Sequence, residues 1–377
     1  MTFSLRVRNY RGLRDVVWAP SGVCALVGPN GSGKTTLLDV PQMLGDALDR
    51  GLRRALEERG SLDGLTSFAA GSSEDVEFEI GTGDVSWHMI PYLVKGSGLR
   101  PMERVLYRGL TLVTRERGDD DAQIDGKATP ARDTLAAGIA MESLTELAPL
   151  RDLLTRYRLY GDYNVREARR IGSVETTERR LERRGENVFS VLRNWNDRRD
   201  DKARLAFVID GLRQMFPFFD DLEFAKASQL IVAEYRVRPW DRLLSASVAP
   251  EGWFVALMHL TAIASTEPAD VISFDELENA LHPHAIHILI EKMREWSRRH
   301  GVTMLLATHS PVIISAFNAE PENLYVMEPD RPQVPIAIDQ LKDPDWLAHF
   351  ALGDLYIQDE FGAPHGNPHR PDHDRRL

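Results

Sequence analysis

The first residues of the chain alternate between apolar and polar side chains, which predicts a β-strand. Phe3, Leu5 and Val7 fall on one face at a period of two. The run from Val23 to Val27 is apolar throughout and is bounded by glycines, as expected for a buried strand. The residues from Thr36 to Arg50 have the composition of a helix. The N-terminal region therefore predicts two strands and a helix.

The middle of the chain has a different pattern. Three segments have the short, polar-interrupted pattern of antiparallel strands: VEFEI (76–80), VSWHMI (85–90) and VLYRGLTLV (105–113). In LTELAPLRDLLTRYRLY the leucines and tyrosines recur every three or four residues, which predicts helix. A further helix and strand are predicted at FVIDGLRQMF and LIVAEYRV. This part of the chain predicts an antiparallel β subdomain and a helical insertion.

From Trp253 onwards, predicted helices and buried strands alternate. The strands are VISF, VTMLLA and NLYVM, and the helices between them are AIHILIEKMREWSRRH and PVIISAF. Such alternation is typical of a parallel sheet wrapped by helices. The fold class predicted from these patterns is α/β, with a mostly parallel sheet flanked by helices, an antiparallel β subdomain and a helical insertion.

Composition and charge narrow the range of functions. The net charge of −11 over 377 residues argues against general adhesion to nucleic acid. Arg151 to Arg204 nevertheless contains 15 basic and 10 acidic residues, interleaved at helical spacing in EARRIGSVETTERRLERRGEN. A solvated helix surface is the expected role of this segment, with a DNA, RNA or protein contact face as the alternative. Cys24 is the only cysteine and no apolar stretch is long enough to cross a bilayer, so we expect a cytoplasmic protein without a membrane partner.

The segment from Gly28 to Thr35, GPNGSGKT, carries the strongest chemical signal. It fits G-x-x-x-x-G-K-[ST] and lies between a predicted strand and a predicted helix, which is the context that the pattern requires. In such a loop the backbone amides surround phosphate oxygens, Lys34 reaches the β- and γ-phosphates, and Thr35 ligates Mg²⁺. The pattern that reads guanine, [NT]-K-x-D, is absent from the sequence, so the predicted cofactors are ATP and Mg²⁺.

A second candidate group follows the strand VISF. Asp275 and Glu276 stand at the strand end, where an aspartate can hold the Mg²⁺ shell and a glutamate can orient water. The alternative is that these residues and Glu278 merely cap the helix that opens near Pro283. Three histidines near that helix start lack the second cluster that a zinc site needs; they are His282, His284 and His287. We expect them to be solvated.

The next strand ends in Thr308-His309-Ser310-Pro311. A histidine at a strand tip can donate a hydrogen bond to a γ-phosphate, although a lone histidine more often has a packing or surface role. The order of the motifs along the chain supports a functional role for His309: a phosphate loop comes first, then an acidic strand end, then a histidine after the following strand.

These motifs resemble those of the ABC-type ATPase heads of the SMC and RecF-like group. GPNGSGKTTLL, VISFDELENALHPHA, LLATHSPVII and the opening RNYRGL carry the likeness, which covers about residues 1–50 and 250–327. The chain looks closest to small stand-alone prokaryotic AAA-type ATPases, similar to an OLD-like head without its Toprim domain. Defence, toxin–antitoxin and DNA-maintenance systems are the settings that this likeness implies.

The resemblance implies a role for each motif residue. Glu276 is the implied general base, His309 the implied switch histidine, and Asp275 and Thr35 the implied Mg²⁺ ligands. The implied nucleotide-binding residues are Asn30, Gly31, Ser32, Gly33, Lys34, Thr35, Thr36 and, from an opposing subunit, Gly252. The implied assembly is a homodimer whose two heads sandwich two nucleotides, and an effector protein or DNA is a further implied partner.

The chain departs from the family pattern at the signature. Where the family has Ser-Gly-Gly or Ser-Asp-Gly, this chain has Pro250-Glu251-Gly252. Gly252 is kept, but the serine hydroxyl is lost unless Ser247 takes its place, and Glu251 would repel a phosphate. Slow or partner-dependent turnover is therefore expected. The Q-loop glutamine has no convincing counterpart, since Gln42 follows the phosphate loop too closely.

The predicted organisation has four parts: 1–70 and 241–345 form the ATPase head, 71–240 holds the β subdomain and the insertion, and 346–377 forms a C-terminal helix and a mobile tail. Two functions fit this organisation. One is an ATPase that switches a dimer between states. The other is a nucleotide-gated scaffold that docks an effector with little turnover of its own. A small-molecule kinase is a third, weaker reading because it does not explain the THSP strand end.

Overall fold

A computed structural model describes residues 3–60, 75–94, 98–132, 134–328, 334–347 and 349–362. The predicted mobile tail after Gly362 lies outside these residues. Backbone contacts group the described residues into two units. The first runs to Tyr157 and resumes at Glu320, and the second is Arg158–Ala319. None of the helices within the described ranges combines the length and the apolar character needed to cross a membrane.

The strands, in chain order, are β1 (Phe3–Tyr10), β2 (Leu13–Trp18), β3 (Val23–Val27), β4 (Glu77–Thr82), β5 (Val85–Ile90), β6 (Leu93–Val94), β7 (Gly98–Leu99), β8 (Met102–Tyr107), β9 (Leu110–Arg115), β10 (Asp121–Ile124), β11 (Lys127–Pro130), β12 (Arg158–Tyr160), β13 (Ser173–Val174), β14 (Phe219–Ala227), β15 (Leu230–Val237), β16 (Arg242–Ser245), β17 (Val271–Asp275), β18 (Thr303–Ala307), β19 (Leu324–Val326) and β20 (Ile336–Ala337). The α-helices are α1 (Lys34–Arg50), α2 (Leu52–Glu57), α3 (Ala136–Ser143), α4 (Ala148–Arg156), α5 (Val165–Ile171), α6 (Val188–Asp197), α7 (Lys202–Met215), α8 (Glu251–Ala264), α9 (Pro283–His300), α10 (Pro311–Ala316), α11 (Ile338–Leu341), α12 (Pro344–Leu347) and α13 (Leu352–Ile357).

The first unit contains an antiparallel sheet of eight strands in the order β11-β10-β9-β8-β5-β4-β1-β2. In β1 the apolar side chains Phe3, Leu5 and Val7 are buried while Ser4 and Arg6 are exposed, as the alternating pattern predicts. This sheet is the largest in the chain's described part. The prediction of a mostly parallel sheet is therefore correct only for the strands around the candidate site, because the N-terminal strands pair with the β subdomain.

Parallel pairing occurs in both units, at the strands that precede the chemical motifs. In the first unit β3 pairs in parallel with β19, and all five residues of β3 are buried. In the second unit β17 lies between β12 and β18 and is parallel to both. Continuous apolar sequence suits such strands because helices or other layers cover both faces. The α/β character that the alternating C-terminal pattern predicts is confirmed.

Two predicted elements differ in detail from the structure. The stretch VLYRGLTLV is a hairpin, since β8 and β9 pair in antiparallel register on either side of Gly109. The helix predicted through LTELAPLRDLLTRYRLY ends at Arg156, and the last three residues form β12. Those three residues leave the helical path because they pair with β17, a contact that local periodicity does not report.

The charge-rich segment is wrongly predicted as helix between residues 175 and 187, where the backbone is irregular. Side chains hold this backbone instead of helical hydrogen bonds. The Leu181 amide donates to Ser265 Oγ at 3.0 Å, and Asn187 Nδ2 donates to the Arg180 carbonyl oxygen at 3.0 Å. Arg180 is also paired with the buried Asp270. At least one positive charge of this segment, that of Arg180, is thus paired with a carboxylate inside the second unit.

Candidate functional site

The phosphate loop connects β3 to α1, and α1 begins at Lys34 as the motif requires. Two of its glycines are needed for close packing. A Cβ atom on Gly28, whose φ is 155°, would overlap the Met327 carbonyl oxygen. At Gly33, with φ of 95°, it would lie 2.6 Å from Leu13 Cδ2. The backbone can follow this path only without side chains at the two positions.

Polar groups of the loop are arranged to receive an anion. Lys34 is buried, and its Nζ donates to the carbonyl oxygens of Gly28 at 2.8 Å and Pro29 at 3.1 Å. The Ser32 hydroxyl oxygen is buried and has no hydrogen-bond partner among the described residues. An unpaired buried hydroxyl costs free energy unless a ligand or water completes it. A phosphate group is a ligand that suits both side chains.

The other predicted phosphate-loop residues differ in exposure. Asn30, Gly31 and Thr35 are exposed, whereas Gly33 and Thr36 are half-buried. Their position at a helix N-terminus, beside a buried ammonium group, fits the triphosphate and Mg²⁺ that the sequence predicts. Gln42 lies deeper in α1, where it is buried and donates to Asp46 Oδ1 at 3.2 Å.

Two further segments of the first unit reach the phosphate loop. In the turn between β1 and β2, a Cβ on Gly12 would lie 3.5 Å from the Gly31 carbonyl oxygen. Near the C-terminus, a Cβ on Gly362 would lie 3.5 Å from Gly28 Cα, and the Gly362 amide donates to the buried carboxylate of Glu328 at 2.9 Å. Gly12 belongs to the motif RNYRGL, but the sequence predicts neither of these two approaches to the phosphate loop.

The acidic strand end lies in the second unit. Asp275 is the last residue of β17, and Glu276 follows it with a positive φ of 51°. The Glu276 amide donates to the Ala307 carbonyl oxygen at 2.9 Å, and Glu276 Oε2 accepts from Asn279 Nδ2 at 2.9 Å. A left-handed conformation at a non-glycine residue costs about 1–3 kcal/mol and is found most often at functional sites. The carboxylate of Glu276 is exposed to solvent.

Strand β12 brings an additional residue to this end of the second unit. A Cβ on Gly161, the residue after β12, would lie 2.8 Å from the Asp275 carbonyl oxygen. The connection from β12 to α5 therefore runs directly beside Asp275. Nothing in the sequence indicates this neighbour, because the residues of β12 are predicted to end a helix.

Glu278 links the acidic turn to the predicted switch histidine. Its Oε1 accepts hydrogen bonds from Thr308 Oγ1 at 2.7 Å and from the His309 amide at 3.1 Å. His309 itself is half-buried. The two predicted catalytic residues, Glu276 and His309, are thus connected through Glu278, which lies two residues after Glu276 and bonds to the His309 amide. From the sequence, Glu278 is predicted only as a possible helix cap.

The helix-cap alternative for the acidic residues is wrong. The N-cap of α9 is His282, whose Nδ1 accepts from the His284 amide at 3.3 Å, and the first turn of α9 contains no acidic residue. His282, His284 and His287 are all exposed, as expected for solvated residues at a helix start. Within the ranges that the structure describes, no group of three or more His, Cys, Asp or Glu residues is arranged to hold a metal ion.

The signature-like residues open helix α8. Pro250 is the N-cap and Glu251, the first helical residue, is exposed. The hydroxyl group of Ser247, the candidate substitute for the missing serine, already forms a hydrogen bond with the Ser245 hydroxyl at 2.8 Å. A Cβ on Gly252 would lie only 2.5 Å from the Ala280 carbonyl oxygen. Gly252 is therefore required for packing within the second unit, whatever its role in nucleotide binding.

We expect Gly252→Ala to destabilise the protein by about 1–3 kcal/mol, because the added methyl group overlaps a backbone atom and the turn at Ala280 must move. Thermal or denaturant unfolding measures the effect without nucleotide. Glu251→Ala is the matched control, since that exposed side chain lies one residue away. Equal stability of Gly252→Ala and the wild type would contradict the packing role.

Behind the acidic turn, the core of the second unit contains one histidine. His259 on α8 is buried, and its Nδ1 lies 3.0 Å from the Tyr163 hydroxyl. Burial lowers the pKa of His259 to about 3. The ring is therefore neutral near pH 7.

Comparisons with known proteins agree with this architecture. Residues 131–315 match the family model described as "AAA domain, putative AbiEii toxin, Type IV TA system", a range that includes Asp275, Glu276 and His309. No curated protein matches the chain in sequence.

Among solved structures, an SMC head bound to the C-terminal winged-helix domain of ScpA has a TM-score of 0.52 at 12% identity, covering 90% of this chain and 99% of that chain. The SMC head domain from Thermotoga maritima has a TM-score of 0.42 at 14% identity, covering 86% and 94%. The Pyrococcus furiosus SMC head with an extended coiled coil, bound to the C-terminal domain of ScpA, has a TM-score of 0.48 at 12% identity, covering 90% and 97%. The first of these shows that the chain has the fold of an SMC head domain, which confirms the resemblance predicted from the sequence.

Proposed function

We propose that this chain, which has the fold of an SMC-type ATPase head, binds ATP with Mg²⁺ and hydrolyses it as a nucleotide-switched dimer. The observation that carries the proposal is the state of the phosphate loop. Lys34 is buried against two carbonyl oxygens of its own loop, and the Ser32 hydroxyl is buried without a partner in the described part of the chain. Both are groups that a bound triphosphate would engage.

Each site residue has a separate role in the proposed catalysis. The loop amides from Asn30 to Thr36 hold the phosphates, and Lys34 turns from its loop carbonyls to phosphate oxygens. Thr35 and Asp275 are each proposed as a residue that would hold Mg²⁺, and the bound ion would neutralise charge on the β- and γ-phosphates. Glu276 accepts a proton from the attacking water and His309 donates a hydrogen bond to the γ-phosphate.

The local contacts support these assignments for Glu276 and His309. The amide of Asn279 holds one oxygen of Glu276, which leaves the other oxygen available to orient water. Glu278 fixes the backbone of His309, so the imidazole is presented from a defined position. Both contacts lie within the second unit and do not require nucleotide.

Dimerisation is proposed from the signature-like turn at the start of α8. In the proposed dimer the amide end of α8, near Gly252, faces the nucleotide of the other subunit. The exposed carboxylate of Glu251 at this end is unfavourable for an approaching phosphate. Closure is therefore expected to be weaker than with a serine at this place, and turnover slow or dependent on a partner.

The same observation favours a second candidate function, a nucleotide-gated scaffold. In this case ATP holds a closed form that docks an effector, and hydrolysis is incidental. The SMC head with a TM-score of 0.52 is bound to a winged-helix domain of ScpA, which is a precedent for an effector protein on this fold. The family description makes a prokaryotic defence or toxin–antitoxin system the proposed setting.

ATP turnover by the isolated chain separates the two functions. We expect slow, Mg²⁺-dependent phosphate release that chelation of the metal abolishes, and a mass in solution that doubles with ATP but not with ADP. The measurement is repeated with duplex DNA and with proteins encoded beside this one. Strong stimulation by DNA alone would count against the scaffold. Absence of both turnover and ATP-dependent dimerisation under all conditions would rule out the proposed switch.

A further inference from the structure

The turn that begins at Glu276 is bonded to the end of β18 at two successive points. The Glu276 amide donates to the carbonyl oxygen of Ala307, the last residue of β18, at 2.9 Å. Two residues further along the turn, Glu278 Oε1 accepts from Thr308 Oγ1 at 2.7 Å and from the His309 amide at 3.1 Å. These bonds join the turn that carries Glu276 to the loop that carries His309.

The Thr308 hydroxyl extends the second of these connections. Thr308 is fully buried, and its Oγ1 accepts from the Ser310 amide at 2.9 Å while donating to Glu278. The backbone is therefore held on both sides of His309, at its own amide by Glu278 and at the next amide by Thr308. Because the Cα–Cβ bond of His309 lies between these two amides, the two hydrogen bonds together set the direction in which the side chain leaves the backbone.

The bonds within the turn do not fix it relative to β18. They join the Asn279 amide to the Glu276 carbonyl oxygen and the Leu281 amide to the Glu278 carbonyl oxygen, each at 3.0 Å. Glu276 and Ala280 have φ of 51° and 63°, a conformation that non-glycine residues keep only where their surroundings enforce it. The Glu278 side chain is one of the contacts with β18 that can provide this enforcement.

The two carboxylate oxygens of Glu278 have different surroundings. Oε1 accepts both hydrogen bonds, whereas Oε2 is buried and has no hydrogen-bond partner among the described residues. A neutral amide group in place of the carboxylate could keep its oxygen at the Oε1 position without displacing a described donor at the other. The contacts of Glu278 therefore depend on the reach of its side chain and do not use the second oxygen.

We infer that Glu278 is a positioning residue, which sets the orientation of His309 relative to Glu276 through its hydrogen bonds at the end of β18. The inference rests on the proposed function in that it gives Glu276 and His309 their tasks at one γ-phosphate. It adds that the relative placement of these two groups is determined by a third side chain within the second unit.

Two substitutions separate the reach of Glu278 from its charge. Glu278→Gln keeps the length of the side chain and an oxygen acceptor, whereas Glu278→Asp keeps the charge but is one methylene group too short to make both bonds. We expect Glu278→Gln to keep kcat within about threefold of the wild type. Glu278→Asp should lower kcat by about tenfold or more, because small displacements of a catalytic group are costly, and leave the Kd for ATP unchanged. A loss in Glu278→Gln as large as that in Glu278→Asp would overturn the inference.

A double-mutant cycle tests whether Glu278 acts through His309. In single-turnover measurements, Glu278→Asp should lower the rate by about tenfold in the wild-type background and by less than about twofold in the His309→Ala background. Equal losses in the two backgrounds would overturn the inference. Glu291→Asp makes the same shortening at an exposed position on α9 and should leave the rate unchanged.

A further readout does not depend on hydrolysis. Hydrogen exchange of the His309 amide should be faster in Glu278→Asp than in the wild type and Glu278→Gln. Thr308→Val, which keeps the branched shape and removes the hydroxyl, should speed exchange of the Ser310 amide. If the wild type does not hydrolyse ATP, the proposed function fails, and the exchange rates still decide whether Glu278 holds the loop. Unchanged exchange at His309 in Glu278→Asp, or at Ser310 in Thr308→Val, would overturn that role.

Discussion

Lys34→Ala is expected to lose ATP binding. The Lys34 ammonium is the only side-chain cation that the phosphate-loop motif supplies, and charge-assisted hydrogen bonds of this type contribute about 1.5–3 kcal/mol each. Loss of two of them weakens binding by at least about a hundredfold. Titration with a fluorescent ATP analogue, or calorimetry, measures the change in Kd.

The control for this variant must separate ligand binding from stability. Lys34 also donates to the carbonyl oxygens of Gly28 and Pro29, so its removal leaves both oxygens without that donor. The melting temperature of Lys34→Ala is therefore compared with that of the wild type. Lys127→Ala, an exposed lysine on β11 in the same unit, controls for the loss of one positive charge. ATP binding by a folded Lys34→Ala protein with unchanged Kd would remove the basis of the proposed nucleotide site.

Glu276→Gln is expected to bind ATP normally and to hydrolyse it at least about a hundredfold more slowly, since general-base catalysis contributes about 10²–10⁴-fold. The substitution is conservative for the turn, because the glutamine side-chain oxygen can still accept from Asn279 Nδ2. Only the proton-accepting carboxylate is lost. Single-turnover phosphate release and the Kd for ATP are the two measurements, and an ATP-dependent dimer should persist longer than in the wild type.

Glu291→Gln is the matched control for Glu276→Gln. It makes the same chemical change at an exposed position on α9 and should leave turnover unchanged. Wild-type rates in Glu276→Gln would show that another group activates the water. A variant that loses ATP binding as well as hydrolysis would indicate that Glu276 acts in the ground state, in contrast to the role proposed for it.

The parts of the site that follow local rules could be predicted from the sequence. The phosphate loop is one, because its glycines and Lys34 act through backbone geometry within a few residues. The strand end at Asp275 is another, because a short apolar run followed by two acidic residues predicts both the strand and its chemistry. The resemblance to SMC-type heads depended on these same local motifs.

The parts that depend on distant contacts could not be predicted. Glu278 accepts hydrogen bonds from Thr308 and His309, although one helix and one strand separate these residues in the sequence. The periodicity of apolar residues gives no information about such a bond. His259 looks like an isolated polar residue in an apolar helix until its hydrogen-bonding partner Tyr163 is known. The spacing of charged residues after residue 175 favours a helix, but the backbone there is irregular because this segment bonds to Ser265 and Asp270 instead.

The contact between Gly362 and Gly28 has a practical consequence for work on this protein. Because Gly362 lies beside Gly28, a displacement of the segment from Leu352 to Gly362 is expected to shift the first glycine of the phosphate loop. Fluorophores, immobilisation handles and fusion partners joined close to Phe361 would therefore perturb the affinity that they are meant to report. Exposed positions on the hairpin of β10 and β11, such as Lys127, are better sites for such probes.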